Sequence, residues 1–115
     1  MSRTISLSAT ATCVLDSNGN GTAQTGPNGT NEVWAPQTAS VSVSSNTHEA
    51  TCKIYAGNYL GLGSFIDGTT WGSTGDSTSN FSGQVYAGQY VFAQWTGGNP
   101  GATATLAVTG TRRVP

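Results

Sequence analysis

The chain has 115 residues, enough for one domain with a modest core, and only nine are charged: four Lys or Arg and five Asp or Glu, for a net charge of −1. Soluble domains carry roughly a quarter charged residues, and nucleic-acid binding needs a basic stripe that displaces counterions. Arg3, Lys53, Arg112 and Arg113 are the whole basic complement, which excludes nucleic acid as a partner.

No apolar run reaches the length of a membrane-spanning helix. The opening Met1-Ser2-Arg3 leads into an alternating segment instead of the continuous apolar stretch of a secretory signal. The expected site of folding is therefore the cytoplasm of the producing cell, with no membrane partner.

No window shows apolar residues at helical spacing, whereas alternation with period two recurs along the chain. The first predicted strand covers about Thr4 to Leu15, with Ile5, Leu7, Ala9, Ala11, Cys13 and Leu15 on one face. The turn-rich 16–21 follows, with two Asn-Gly steps that signal a hairpin because both residues accept positive φ. A short strand near Thr22 to Thr25 stops at Gly26-Pro27, and a second loop carries Asn28-Gly29. The next strand, about Glu32 to Ser44, places Val33, Ala35, Ala39, Val41 and Val43 on one face and Trp34 and Pro36 on the other. Pro36 has no amide to donate, so this strand is expected to start at an edge or a bend. A strand over about Ala50 to Gly57 turns Ala50, Cys52, Ile54 and Ala56 inward and Thr51, Lys53 and Tyr55 outward. Residues 58–80 are the least regular, with short strands expected near Phe65-Ile66 and Thr70-Trp71 and a polar loop over Ser73 to Ser82. The final pair, about Gly88 to Thr96 and Ala102 to Thr109, reads as a hairpin around Gly97-Gly98-Asn99-Pro100-Gly101. Val91, Ala93 and Trp95 face one way, Tyr90 and Phe92 the other, which makes the first of the two a central strand.

These elements predict a single all-β domain over 1–115, an antiparallel β-sandwich of about six to eight strands. Immunoglobulin-like and jelly-roll topologies both fit. Short arms are expected at about 1–3 and 111–115. Cys13 and Cys52 both fall in strands; a disulfide is open to them, with two reduced, buried thiols the default for a cytoplasmic protein.

Little in the sequence carries chemistry. The single histidine, His48, lies in a polar turn beside Glu49, and no Gly-x-Ser-x-Gly elbow occurs. The carboxylates Asp16, Glu32, Glu49, Asp67 and Asp76 sit in or beside predicted loops, without the local pairing that glycoside hydrolysis uses. Asp16-x-Asn18-x-Asn20-Gly21 matches the opening of a calcium loop, but Pro27 occupies the position of the bidentate Glu. Two Cys and one His are too few for a zinc site, and no cofactor or metal is expected. Asn20, Asn28 and Asn80 match the glycosylation triplet through composition alone. The aromatics Trp34, Trp71, Trp95, Tyr55, Tyr59, Tyr86 and Tyr90 serve either as core filling or as anchors for a protein or sugar surface. Trp71, set among Gly and Thr, is the best candidate for an exposed anchor.

The run VFAQWTGGNPGATATLAVTGT over 91–111, together with Gly26-Pro27, Glu32-Val33-Trp34 and Thr51-Cys52-Lys53-Ile54-Tyr55, resembles a small β-protein of tailed bacteriophages infecting actinobacteria. The resemblance spans roughly Gly21 to Thr111. It implies a virion component and carries no catalytic residues. The resulting expectation is a non-enzymatic capsid decoration or stabilising protein, located in the virion and bound to the major capsid protein and to copies of itself. Candidate contacts are Arg3, Trp71, Arg112 and Arg113. A minor tail protein, or a carbohydrate-binding module that attaches to host cell-wall glycan through Trp71, is the alternative.

Overall fold

The computed structural model describes residues 3–27, 31–44, 47–58, 65–71, 76–79, 81 and 83–115; at 65, 67, 69–71 and 76 it describes the backbone only. Predicted features at Asn28, Tyr59 and Asn80, and at the first two residues, fall outside the described residues. The elements are β1 (Arg3–Val14), β2 (Gly21–Thr25), β3 (Val33–Val43), β4 (Ala50–Gly57), β5 (Phe65–Trp71), β6 (Asp76–Thr78), the two-residue β7 (Val85–Tyr86), β8 (Tyr90–Thr96) and β9 (Thr103–Val114). They form two antiparallel sheets, β1-β9-β3-β6 with β7 also on β3, and β2-β8-β4-β5. The all-β antiparallel sandwich is as the alternation predicts, with eight strands of three residues or more among the described residues.

The core lies between the sheets. Ala104, Leu106 and Val108 of β9, Val91, Ala93 and Trp95 of β8, and Cys52 and Ile54 of β4 are all fully buried. These are the inward sets that the period-two pattern assigns. Each Val, Ile or Leu of that kind contributes about 1.5–3 kcal/mol of apolar burial. The inward alanines keep the interior thin, and Trp95 is the largest of its fully buried side chains.

Four local expectations are corrected. The 97–101 turn does not close a hairpin. β8 pairs with β2 and β4, while β9 pairs with β1 and β3, so this turn carries the chain from one sheet to the other. The same holds for the Asn-Gly segment, since β1 and β2 belong to different sheets. Six residues separate β8 from β9 and from β1 to β2, and such connections have the reach to cross a sandwich instead of reversing in plane. Among the described strands only β4 and β5 are sequence neighbours paired with each other.

The second correction concerns β3. Its register against β9 shifts between Pro36 and Thr38, so Gln37 is an extra, bulged residue. The bulge inverts the alternation on its N-terminal side. Trp34 and Pro36 therefore point inward with Ala39, Val41 and Val43, and all five are buried. A Cβ at Gly110 would collide with the Ala35 carbonyl oxygen and lie 2.8 Å from the Gln37 amide, so the bulge requires glycine opposite it. Pro36 also falls between the stretches of β3 that pair with β7 and with β6, where no described strand pairs with it on that side.

Third, the irregular segment holds one longer strand, β5, where two short ones are predicted, and Asp76–Thr78 forms β6 inside the predicted polar loop. Fourth, residues 111–114 are not an arm. They complete β9, with Arg112 opposite Ile5 on one side and Trp34 on the other. Arg3 likewise begins β1, opposite Val114.

Candidate functional site

β1 starts where β9 ends, and this brings three of the four basic residues to one end of the first sheet: Arg3 opposite Val114, Arg113 opposite Thr4, and Arg112 opposite Ile5. Their surroundings differ. Arg3 and Arg113 are exposed. Arg112 shares its row with Ile5, Trp34 and Val85, and its Nη1 donates to Glu32 Oε1 at 3.1 Å. The same oxygen accepts the Trp34 Nε1 hydrogen at 2.9 Å. Glu32 is buried, so its carboxylate closes the end of the core by joining the guanidinium and the indole. Arg112 is thus a structural ion-pair partner within the fold, while Arg3 and Arg113 are exposed and have no ion-pair partner among the described residues. Trp71 ends β5 opposite Ala50, and its side chain is outside the described residues.

The opposite end of the sandwich carries three sheet crossings, from β1 to β2, from β3 to β4 and from β8 to β9, whose described residues are hydrogen-bonded to one another. Gly98 donates to Gly19 O, Gly101 to Leu15 O, Leu15 to Ala102 O, and Ser44 to Thr103 O, each at 2.9 Å. Asn20 Oδ1 accepts from the Gly97 amide at 3.1 Å, and Asn99 Oδ1 from the His48 amide at 2.8 Å. Asp16 Oδ1 accepts the amides of Asn18 and Asn20 at 2.9 and 3.0 Å. The calcium-like string is thus an Asx-stabilised turn in which Asp16 Oδ1 and Asn20 Oδ1 are engaged by backbone amides. An open hollow of about 260 Å³ lies beside it, with Asp16, Asn20, Thr22, Gln94 and Thr96 on its walls. Among the described residues no three of His, Cys, Asp and Glu are grouped for a metal ion.

Cys13 and Cys52 are free thiols on different sheets. Burial pushes both above their ordinary value. For Cys52 a backbone hydrogen bond at Gln94 opposes the burial effect and the nearby Cys13 adds to it.

Two features of the outer faces take shape only once the strand order is known. On the outer face of the second sheet, Tyr55 and Phe92 are directly opposite and both buried, and the Tyr90 and Phe92 rings pack at 5.8 Å between centroids. On the outer face of the first sheet, hydroxyl side chains stand in cross-strand rows: Thr12, Thr105 and Ser42 in one, Ser8, Thr109 and Thr38 in another. The signal for both was present in the alternation, but strand order is needed to assemble the rows. No family model matches the chain, and no curated protein matches it.

Proposed function

We propose that the chain is a virion structural protein of a tailed bacteriophage, a decoration or stabilising protein that binds the major capsid protein and copies of itself. The observation that carries this reading is the outer face of the first sheet. Its rows of Ser and Thr, without a charge between Thr4 and Thr111 on β1 and β9, form a surface that packs against neighbours without like-charge repulsion. The resemblance of residues 21–111 to a small phage β-protein supports the same conclusion.

The mechanism is mechanical. Each copy bridges shell subunits and buries area that exists only after assembly, which shifts the equilibrium toward the closed shell. Arg3 and Arg113, exposed together at one end, supply cationic contacts to an acidic neighbour. The test is the copy number of the chain in purified particles, measured by quantitative mass spectrometry against the major capsid protein. A ratio near one, or a simple fraction of it, is expected. A handful of copies would move the protein to the tail, and absence from particles would overturn the reading. Alanine at Arg3 and Arg113 should weaken particle binding at low salt and matter less at high salt.

A further inference from the structure

The four sheet edges are not alike. β6 is three residues long and β2 five, ending before Gly26-Pro27. β5 carries a register irregularity against β4 near Asp67 and a glycine at 68. Short length, bulges, proline and charge are the devices that keep an edge from pairing with another chain. β1 has none of them over most of its length. It is twelve residues long, contains no proline, and keeps unbroken register with β9 from Arg3 to Val14. Its single charge is Arg3, at the end. Among the described residues no strand lies on its far side.

A second observation marks the same edge. The inward residues of β9 in the rows of Ala9, Ala11 and Cys13 are Val108, Leu106 and Ala104, and all are fully buried. Ala9, Ala11 and Cys13 themselves, and Ile5, are only half-buried. The facing edge strand β2 has five residues against twelve and leaves part of the inner face of β1 overhanging.

We infer that β1 is a self-association edge, on which the β1 strand of a second copy pairs antiparallel about a two-fold axis normal to the sheet. Three arguments select a second copy as occupant. An open strand edge that gives up its water pairs along its whole length with another extended backbone that has free amides and carbonyls, and β1 presents the same set. Its uncharged centre brings no like charges together when it meets itself. The two-fold also keeps both inner faces on one side, provided residues of the same parity are opposed. Pairing centred on Ala9 sets Ile5 against Cys13 of the second copy, and pairing centred on Ser8 sets Ile5 against Ala11. Either register covers the half-exposed stripe. The edge is about 40 Å long and a sheet layer about 10 Å thick, giving about 400 Å² per copy. That is below the standard size for a stable complex, so the dimer is weak and reversible in solution and becomes populated where copies are concentrated, as on a shell. The inference rests on the self-association part of the proposed function and names its surface; particle copy number tests the capsid part separately.

The experiment is sedimentation velocity of the purified chain over a concentration series, with amide hydrogen exchange on the same samples. A monomer–dimer shift is expected, with alternate β1 amides gaining protection as dimer accumulates. Ala9→Lys, an inward-pointing charge at the edge, should weaken association roughly tenfold or more. Lys53→Glu, an exposed charge reversal on β4 of the second sheet, should leave it unchanged. The exchange result on the unaltered chain decides the matter even if Ala9→Lys fails to fold. A monomer at every concentration, a dimer without new β1 protection, or growth past the dimer would each overturn the assignment.

Discussion

Gly98 donates its amide to the carbonyl oxygen of Gly19 at 2.9 Å, although the two belong to different sheet crossings. The contact is close enough that a Cβ on Gly19 would overlap the Gly98 backbone. Gly19 also has φ near 75°, where L side chains are strained. Gly83 has φ near 80° but open space around it. The pair separates conformational strain from collision. Gly83→Ala should lower stability by about 1 kcal/mol. Gly19→Ala should cost more than about 3 kcal/mol, because backbone must move to admit the methyl. Thermal or urea unfolding of the two variants checks the difference; equal losses would mean that the two crossings are not held in contact.

The Glu32 carboxylate supports a second test. It accepts from both Trp34 Nε1 and Arg112 Nη1. Glu32→Ala leaves a buried indole N–H and a half-buried guanidinium without that acceptor, and should cost about 2 kcal/mol. Glu32→Gln keeps an oxygen for Trp34 and should cost less. Arg112→Ala combined with Glu32→Ala should be less damaging than the sum of the single changes, since the charge left unpaired in one is absent in the double variant. Additive losses in denaturant unfolding would contradict the coupling.

The inward faces of β4 and β9 were legible because alternation over Ala50–Ile54 and Ala102–Val108 leaves one solution for a buried face, and that of β8 because Val91, Ala93 and Trp95 share one face of a strand apolar on both. Strand partnership was not. Gly97-Gly98-Asn99-Pro100-Gly101 has the composition of a hairpin turn, yet its second glycine is buried against Leu15 and Ala50, a constraint set by residues far away in sequence. The face of Trp34 was misread for a local reason: one bulged residue, Gln37, inverts parity, and nothing in its identity announces it. The Glu32–Arg112 pair joins residues brought together only by the β3–β9 register. Spacing alone cannot reveal it.

The bulge gives a third prediction. Deleting Gln37 restores regular pairing between β3 and β9 and forces either Trp34 and Pro36 or the Ala39–Val43 set off the inner face. Both sets are buried, so the deletion should cost several kcal/mol, at least the burial of one large side chain. If the deletion variant folds with Trp34 turned outward, that indole should become accessible to acrylamide quenching. Gln37→Ala retains the residue count and should change stability by less than about 0.5 kcal/mol, since the side chain is exposed. Comparable stability of the deletion variant and the parent would show that Gln37 is not a bulge.

The thiols make the last prediction one of pH. Burial raises the Cys52 thiol above its ordinary value of 9.0, and raises Cys13 less deeply inside the fold. A raised pKa means that the folded state holds the proton more tightly than the unfolded chain. The contribution to stability is therefore fully present below pH 9.0 and declines as pH rises through the interval up to the folded value. For Cys52 the slope approaches about 1.4 kcal/mol per pH unit once the unfolded thiol is ionised. Urea unfolding between about pH 8 and pH 10.5 should show this decline, and Cys52→Ala should remove its part of it. The same burial sets the order of alkylation in the folded protein, with half-buried Cys13 modified first and Cys52 only as the chain unfolds. Equal labelling rates for the two thiols would place Cys52 outside the core.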